Sequence, residues 1–138
     1  MSLFGKIFGE SDSKDNQESS VHWNTLTEVK QLDELVGESF RTPVYIFKHS
    51  TRCSISRMAL KQFESHYSLA ENEAHGYFLD LLAHRDVSNE IAERFGVVHQ
   101  SPQLILIING ICNYTVSHSE IDAEELKIKI DEQESKSV

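Results

Sequence analysis

The segment Leu104-Ile-Leu-Ile-Ile108, Asn109-Gly110, Ile111-Cys-Asn-Tyr-Thr-Val116 constrains the fold of this chain more than any other. Two apolar, largely β-branched or aromatic runs flank an Asn-Gly pair, and both turn positions of a tight hairpin want φ > 0. An antiparallel hairpin is expected here. Ser101-Pro102 stands directly before it. Proline has no N–H to give to a sheet ladder, so it belongs at a strand start or edge.

Upstream, helix and strand signals alternate. Val29, Leu32, Leu35 and Val36 share one stripe of a helix over 27–36, with Gly37 available to end it. Pro43-Val-Tyr-Ile-Phe47 reads as a buried strand. Ser54 to about Tyr67 carries apolar residues at a helical period, and Gly76 to Leu82 is a second apolar run. Asn89 to Phe95 reads as a helix closed by Gly96, and Ser119 to about Ile130 as a last helix with Ile121, Leu126, Ile128 and Ile130 apolar. The pattern also admits a short strand at Val21-His-Trp23, with Trp23 in the core. The order predicts an α/β domain with a mixed sheet of four to five strands flanked by helices. Thioredoxin-like folds have this order, and a few other folds share it.

At 138 residues the chain has room for one core. Its net charge of −9 argues against nucleic acid, which needs a basic face. An acidic surface favours a monomer. Two cysteines are too few for a disulfide scaffold and point to a reducing compartment. No run is long and apolar enough to span a bilayer, and Met1 to Gly9 lacks the features of a signal peptide, so the expected place is the cytoplasm. Residues 10–20 hold no apolar side chain and read as a linker. Leu3, Phe4, Ile7 and Phe8 before it fit either a short docking motif or, preferably, a frayed terminus. The expected division is a flexible tail at 1–20, one domain at 21–132 and a tail at 133–138.

Cys53 sits between the strand ending near Phe47 and the first turn of the next helix. A helix N-terminus leaves N–H groups unpaired and carries partial positive charge, which stabilises a thiolate over a thiol. Such settings pull cysteine pKa values from about 8.5 to roughly 3.5–7.5. From Arg41 to Phe63 the chain holds Arg41, Lys48, Arg52, Arg57 and Lys61 but neither Asp nor Glu, a local reversal of charge around Cys53. Ser56, three residues on, stands where a dithiol oxidoreductase has its second cysteine; it can hydrogen-bond a thiolate but cannot resolve a disulfide. Cys112 lies on the order of 20 Å from the Pro102 end of its hairpin, too far for a bond that needs Cα atoms within about 7 Å. It is expected to be a core or edge residue. His49 either helps polarise Cys53 or is an exposed loop histidine. The seven histidines show no metal-ligand spacing, and no metal is assigned.

Lys48-His-Ser-Thr-Arg-Cys-Ser-Ile-Ser56, with Ser101-Pro102 and the Asn109-Gly110 turn, resembles the monothiol bacilliredoxins of the thioredoxin superfamily from about Trp23 to Ile130. Ser54 departs from the proline usual there. The resemblance implies a thioredoxin-like fold, with a cis bond at Ser101-Pro102 facing the cysteine. It implies Cys53 as the catalytic thiol, with Lys48, His49, Thr51, Arg52, Ser54, Ser56, Ser101 and Pro102 stabilising the thiolate or binding substrate. Its co-substrate is bacillithiol, with no tightly bound cofactor, and its partners are bacillithiolated proteins and low-molecular-weight thiols. Arg52 suits the two carboxylates of bacillithiol's malate group. A glutathione-dependent monothiol glutaredoxin-like protein, an iron–sulfur carrier and a non-catalytic adaptor binding peptide at the Pro102 edge are the alternatives.

Overall fold

A computed structural model describes residues 21–137. The expected linker and the apolar turn at Leu3 to Phe8 lie outside the described residues. The elements run β1 (Trp23–Leu26), α1 (Gln31–Glu38), β2 (Val44–His49), α2 (Ser54–Ser65), β3 (His75–Asp80), α3 (Arg85–Phe95), β4 (Gln103–Ile108), β5 (Ile111–Ser117), a 3-10 turn (His118–Glu120) and α4 (Ala123–Ser137). The five strands form one sheet in the order β1-β3-β2-β4-β5. β1 and β2 both pair parallel to β3, whereas β4 pairs antiparallel to β2 and β5 to β4.

Central strands buried on both faces read as continuous apolar runs, and their alternate side chains feed two separate cores. Val44 and Ile46 of β2, with Ile105 and Ile107 of β4, pack with Leu32 and Leu35 of α1 and Val87 and Ile91 of α3. Tyr45 and Phe47, with Leu104 and Leu106, face the other way against Phe63 of α2 and Leu126 and Ile130 of α4. Trp23 joins that second layer, its ring centroid 5.7–6.0 Å from those of Tyr45, Phe47, Phe63 and Phe78, while its indole N–H donates to Glu64 at 2.7 Å. Only a residue without a Cβ fits over the Tyr45 ring at Gly76, where an added carbon would lie 2.6 Å from the phenol oxygen.

The Asn-Gly turn forms as expected, with φ of 54° at Asn109 and 81° at Gly110. Gly96 closes α3 in the left-handed region, with φ of 65°. Gly37 does not end its helix: α1 runs on to Glu38, and the Ser39 N–H donates to Leu35 and Val36 carbonyls instead. The last helix starts later and ends later than its apolar residues suggest, after a 3-10 turn and through Ser137. Ile128 stays on its exposed side, while Ile121, Leu126 and Ile130 are buried.

Candidate active site

β2 ends at His49 and the chain turns over Ser50 to Cys53 before α2 begins at Ser54. The Cys53 N–H donates to Ser50 O at 3.2 Å, closing the turn, and Cys53 O accepts the Arg57 N–H at 3.1 Å, the first bond of the helix. Cys53 is thus the N-cap residue, with extended backbone (φ −111°, ψ 121°), a half-buried side chain and no acidic residue in the turn that follows. Its side chain makes no hydrogen bond to the first N–H groups of the helix, so the sulfur stands at the head of α2 without a capping contact.

The antiparallel register of β2 and β4 pairs Lys48 with Gln103. Pro102 therefore falls beside His49, at the sheet end from which the Cys53 turn departs. The Ser101-Pro102 bond is cis. Pro102 O accepts the His118 N–H at 3.1 Å, tying the loop to the 3-10 turn after β5. The Ser101 hydroxyl is buried with no hydrogen-bond partner among the described residues. Gln103 braces the same loop by donating from Nε2 to Val98 O at 2.9 Å.

Below the turn the structure departs from the sequence-based expectation in three ways. Ser56 is fully buried, and its Oγ accepts the Ser50 N–H at 3.1 Å and lies 2.7 Å from His49 Nδ1. Its hydroxyl is committed to the turn that carries the cysteine, and its recorded bonds are to these two groups and not to Cys53. His49 is no loop residue: it ends β2, 5% exposed, against Phe78. Burial pushes its imidazole below the ordinary histidine range, against the opposing pull of the Asp80 carboxylate. Asp80 is its parallel partner on β3, with Oδ1 buried and without a hydrogen bond among the described residues.

The third departure concerns the basic cluster, which the fold divides. Arg41 precedes β2 at the far end of the sheet from Cys53. Lys48 is completely buried on the α3 side, its Nζ 2.7 Å from His99 Nδ1, and burial lowers its ammonium to about 8. Arg52, Arg57 and Lys61 remain exposed near the cysteine. Arg57 reaches back to donate to Thr51 O at 3.3 Å, while Thr51, Arg52 and Ser54 line the open side of the turn. Sequence reasoning missed His99 and Asp80; a histidine three residues before the proline is too weak a signal to select, and Asp80 shows its role only through strand pairing. Cys112 is half-buried in β5 beside the hairpin, its thiol pushed up by burial, with Sγ 3.7 Å from Tyr114 O. No group of three or more candidate metal ligands occurs among the described residues. No helix among them is long and apolar enough to cross a membrane.

A cysteine capping the helix behind a buried strand, at the sheet end where a cis-proline opens the antiparallel neighbour, is the arrangement of a thioredoxin-fold thiol oxidoreductase. A solved thioredoxin-fold protein described as a candidate oxidoreductase is 31% identical, covering 78% of this chain and 92% of its own with a TM-score of 0.67. Thioredoxin from Malassezia sympodialis is 21% identical, with 83% and 90% covered and a TM-score of 0.62. That from Trypanosoma brucei brucei, 12% identical with 86% and 94% covered and a TM-score of 0.61, shares the fold. Residues 24–126 match the profile of the family described as monothiol bacilliredoxin BrxC, and the chain belongs to that family.

Proposed function

We propose that this protein removes bacillithiol from protein mixed disulfides by a monothiol route through Cys53. The observation that carries the reading is the half-exposed Cys53 at the N-cap of α2, one helical turn from a buried Ser56 where a dithiol enzyme needs a second cysteine. The Cys53 thiolate attacks the bacillithiol sulfur of a modified client. The client sulfur leaves with the bond's electron pair and takes a proton from water as a free thiol. Cys53 then carries the bacillithiol until a second low-molecular-weight thiolate attacks that sulfur and releases the Cys53 thiolate. Arg52, exposed beside the turn, pairs with the malate carboxylates of the bound bacillithiol.

Bacillithiol is a co-substrate on this reading, and the protein works as a monomer in a reducing cytoplasm. The test is the rate of client release followed by mass, with one client carrying bacillithiol and the same client carrying glutathione. The wild type is expected to free the bacillithiolated client, with Cys53→Ser inactive. Equal rates with glutathione would replace this substrate with the glutaredoxin-like one.

A further inference from the structure

Lys48 is fully buried yet forms no ion pair among the described residues; its recorded contact is His99 Nδ1, 2.7 Å from Nζ. Its ammonium, lowered to about 8, still carries its charge at pH 7. An ammonium has three donors and no acceptor, so Nδ1 is the bare nitrogen of the imidazole. The Ser88 hydroxyl, 3.4 Å from the same atom, can only add a second donor there. Burial, with the Lys48 and Arg85 charges beside it, holds His99 below the ordinary histidine range. The ring is therefore neutral at pH 7, with its single proton on Nε2. That nitrogen has no partner among the described residues, and His99 is exposed.

The backbone that carries this N–H is braced on both sides. Gln103 donates from Nε2 to Val98 O at 2.9 Å, and its Oε1 accepts the Gln100 N–H at 3.4 Å. Gln103 follows the cis-proline and pairs with Lys48 across the sheet. His99 thus stands on the loop leading into Ser101-Pro102, at the sheet end from which the Cys53 turn departs. A buried cation without a counter-charge costs stability. What this one provides is the orientation of an exposed donor next to the site.

We infer that Lys48 is a positioning residue: it holds His99 with the proton on Nε2, and this N–H binds an acceptor oxygen of the mixed-disulfide substrate beside the cis-proline. The inference deepens the proposed exchange at Cys53 and rests on it. The oxygen belongs to a bacillithiol carboxylate or to a client carbonyl, and a neutral donor suits both.

The first test is the ring-nitrogen NMR shifts of the full chain, isotope-labelled at histidine, with His99 assigned by the signal lost in His99→Gln. A bare Nδ1 and a protonated Nε2 are expected at pH 7, and in Lys48→Met the proton should spread over both nitrogens. The second is kinetics on one client peptide carrying either bacillithiol or cysteamine, which has no carboxylate. His99→Leu should raise KM about five- to tenfold with kcat little changed. Lys48→Met should raise it about threefold although it is the more stable protein at that pH. The double variant Lys48→Met/His99→Leu leaves no buried charge unpaired and should match His99→Leu. His99→Gln, whose amide oxygen accepts from Lys48 while its amide nitrogen donates outward, should stay within about twofold of wild type. A loss confined to the bacillithiol arm assigns the oxygen to bacillithiol, and a loss in both arms assigns it to the client chain. Any other pattern overturns the inference, as would a proton on Nδ1 or a His99→Gln no better than His99→Leu. Free Ellman's reagent separates the two levels. If it fails to react with Cys53 of the wild type, the thiol-exchange reading itself falls; if it reacts while His99→Leu leaves KM unchanged, only the role of Lys48 and His99 does.

Discussion

His49 Nδ1 and Ser56 Oγ stand 2.7 Å apart beneath the turn that presents Cys53. The serine oxygen also takes the Ser50 N–H, so one buried hydroxyl fastens the end of β2 and the loop to the first turn of α2. A monothiol site thus uses the position of a second cysteine as a structural pin.

Ser56→Ala leaves the buried His49 imidazole and the partly buried Ser50 N–H each without this partner. The expected loss is about 1–3 kcal/mol in urea unfolding. Exchange should slow more than stability alone explains, because the loop that presents Cys53 loosens. An unchanged unfolding midpoint would contradict the pin.

Lys48 makes stability rise with pH where lysines ordinarily contribute nothing. Burial holds its ammonium at about 8 against an ordinary 10.5. Between those values the unfolded chain keeps a proton that the folded chain has lost, so this residue's contribution to stability grows from about pH 8 to pH 10.5. Below pH 8 both states hold the proton, and the cost of burying the charge is fully present. Cys112, raised by burial, acts in the opposite sense over part of that range. The difference between wild type and Lys48→Met therefore isolates the lysine. Lys48→Met should be the more stable at pH 7, with an advantage that shrinks as pH rises.

Gly76→Ala should destabilise the fold by about 1–3 kcal/mol while leaving the cysteine turn intact, since the new carbon meets the Tyr45 phenol inside a packed layer. Thermal unfolding measures it. An unaltered midpoint would mean that Tyr45 can move aside.

Arg52→Glu reverses one exposed charge beside the cysteine. Its kcat/KM with a bacillithiolated client should fall about five- to tenfold at low salt, with a smaller loss at high salt. Equal values for the two proteins would remove Arg52 from substrate recognition.

Much of this was legible because periodicity is local. The hairpin, the doubly buried strands and the helix after Cys53 follow from side-chain order along short windows, and the cis-proline followed from resemblance at Ser101-Pro102. What stayed hidden depends on layers added from elsewhere. Lys48 reads as a surface cation until α3 and the His99 loop cover it, and His49 reads as a loop residue until β3 pairs with β2 to its last residue. Arg41 seemed to belong to the cysteine's neighbourhood because it is near in sequence, yet the length of β2 separates them. Gly37 fits the signal for a helix end, but the Ser39 side chain, bonding back to Val36 O at 2.6 Å, carries the termination two residues later.

The central claim is that Cys53 alone accepts the thiol carried by a client. Intact-mass measurement of the reduced protein after mixing with a bacillithiolated client tests it most directly. A gain of one bacillithiol, mapped to Cys53, retained in Cys112→Ser and absent in Cys53→Ser, is the expected result. No adduct on Cys53 while the client is nonetheless freed, or an adduct on Cys112, would contradict it.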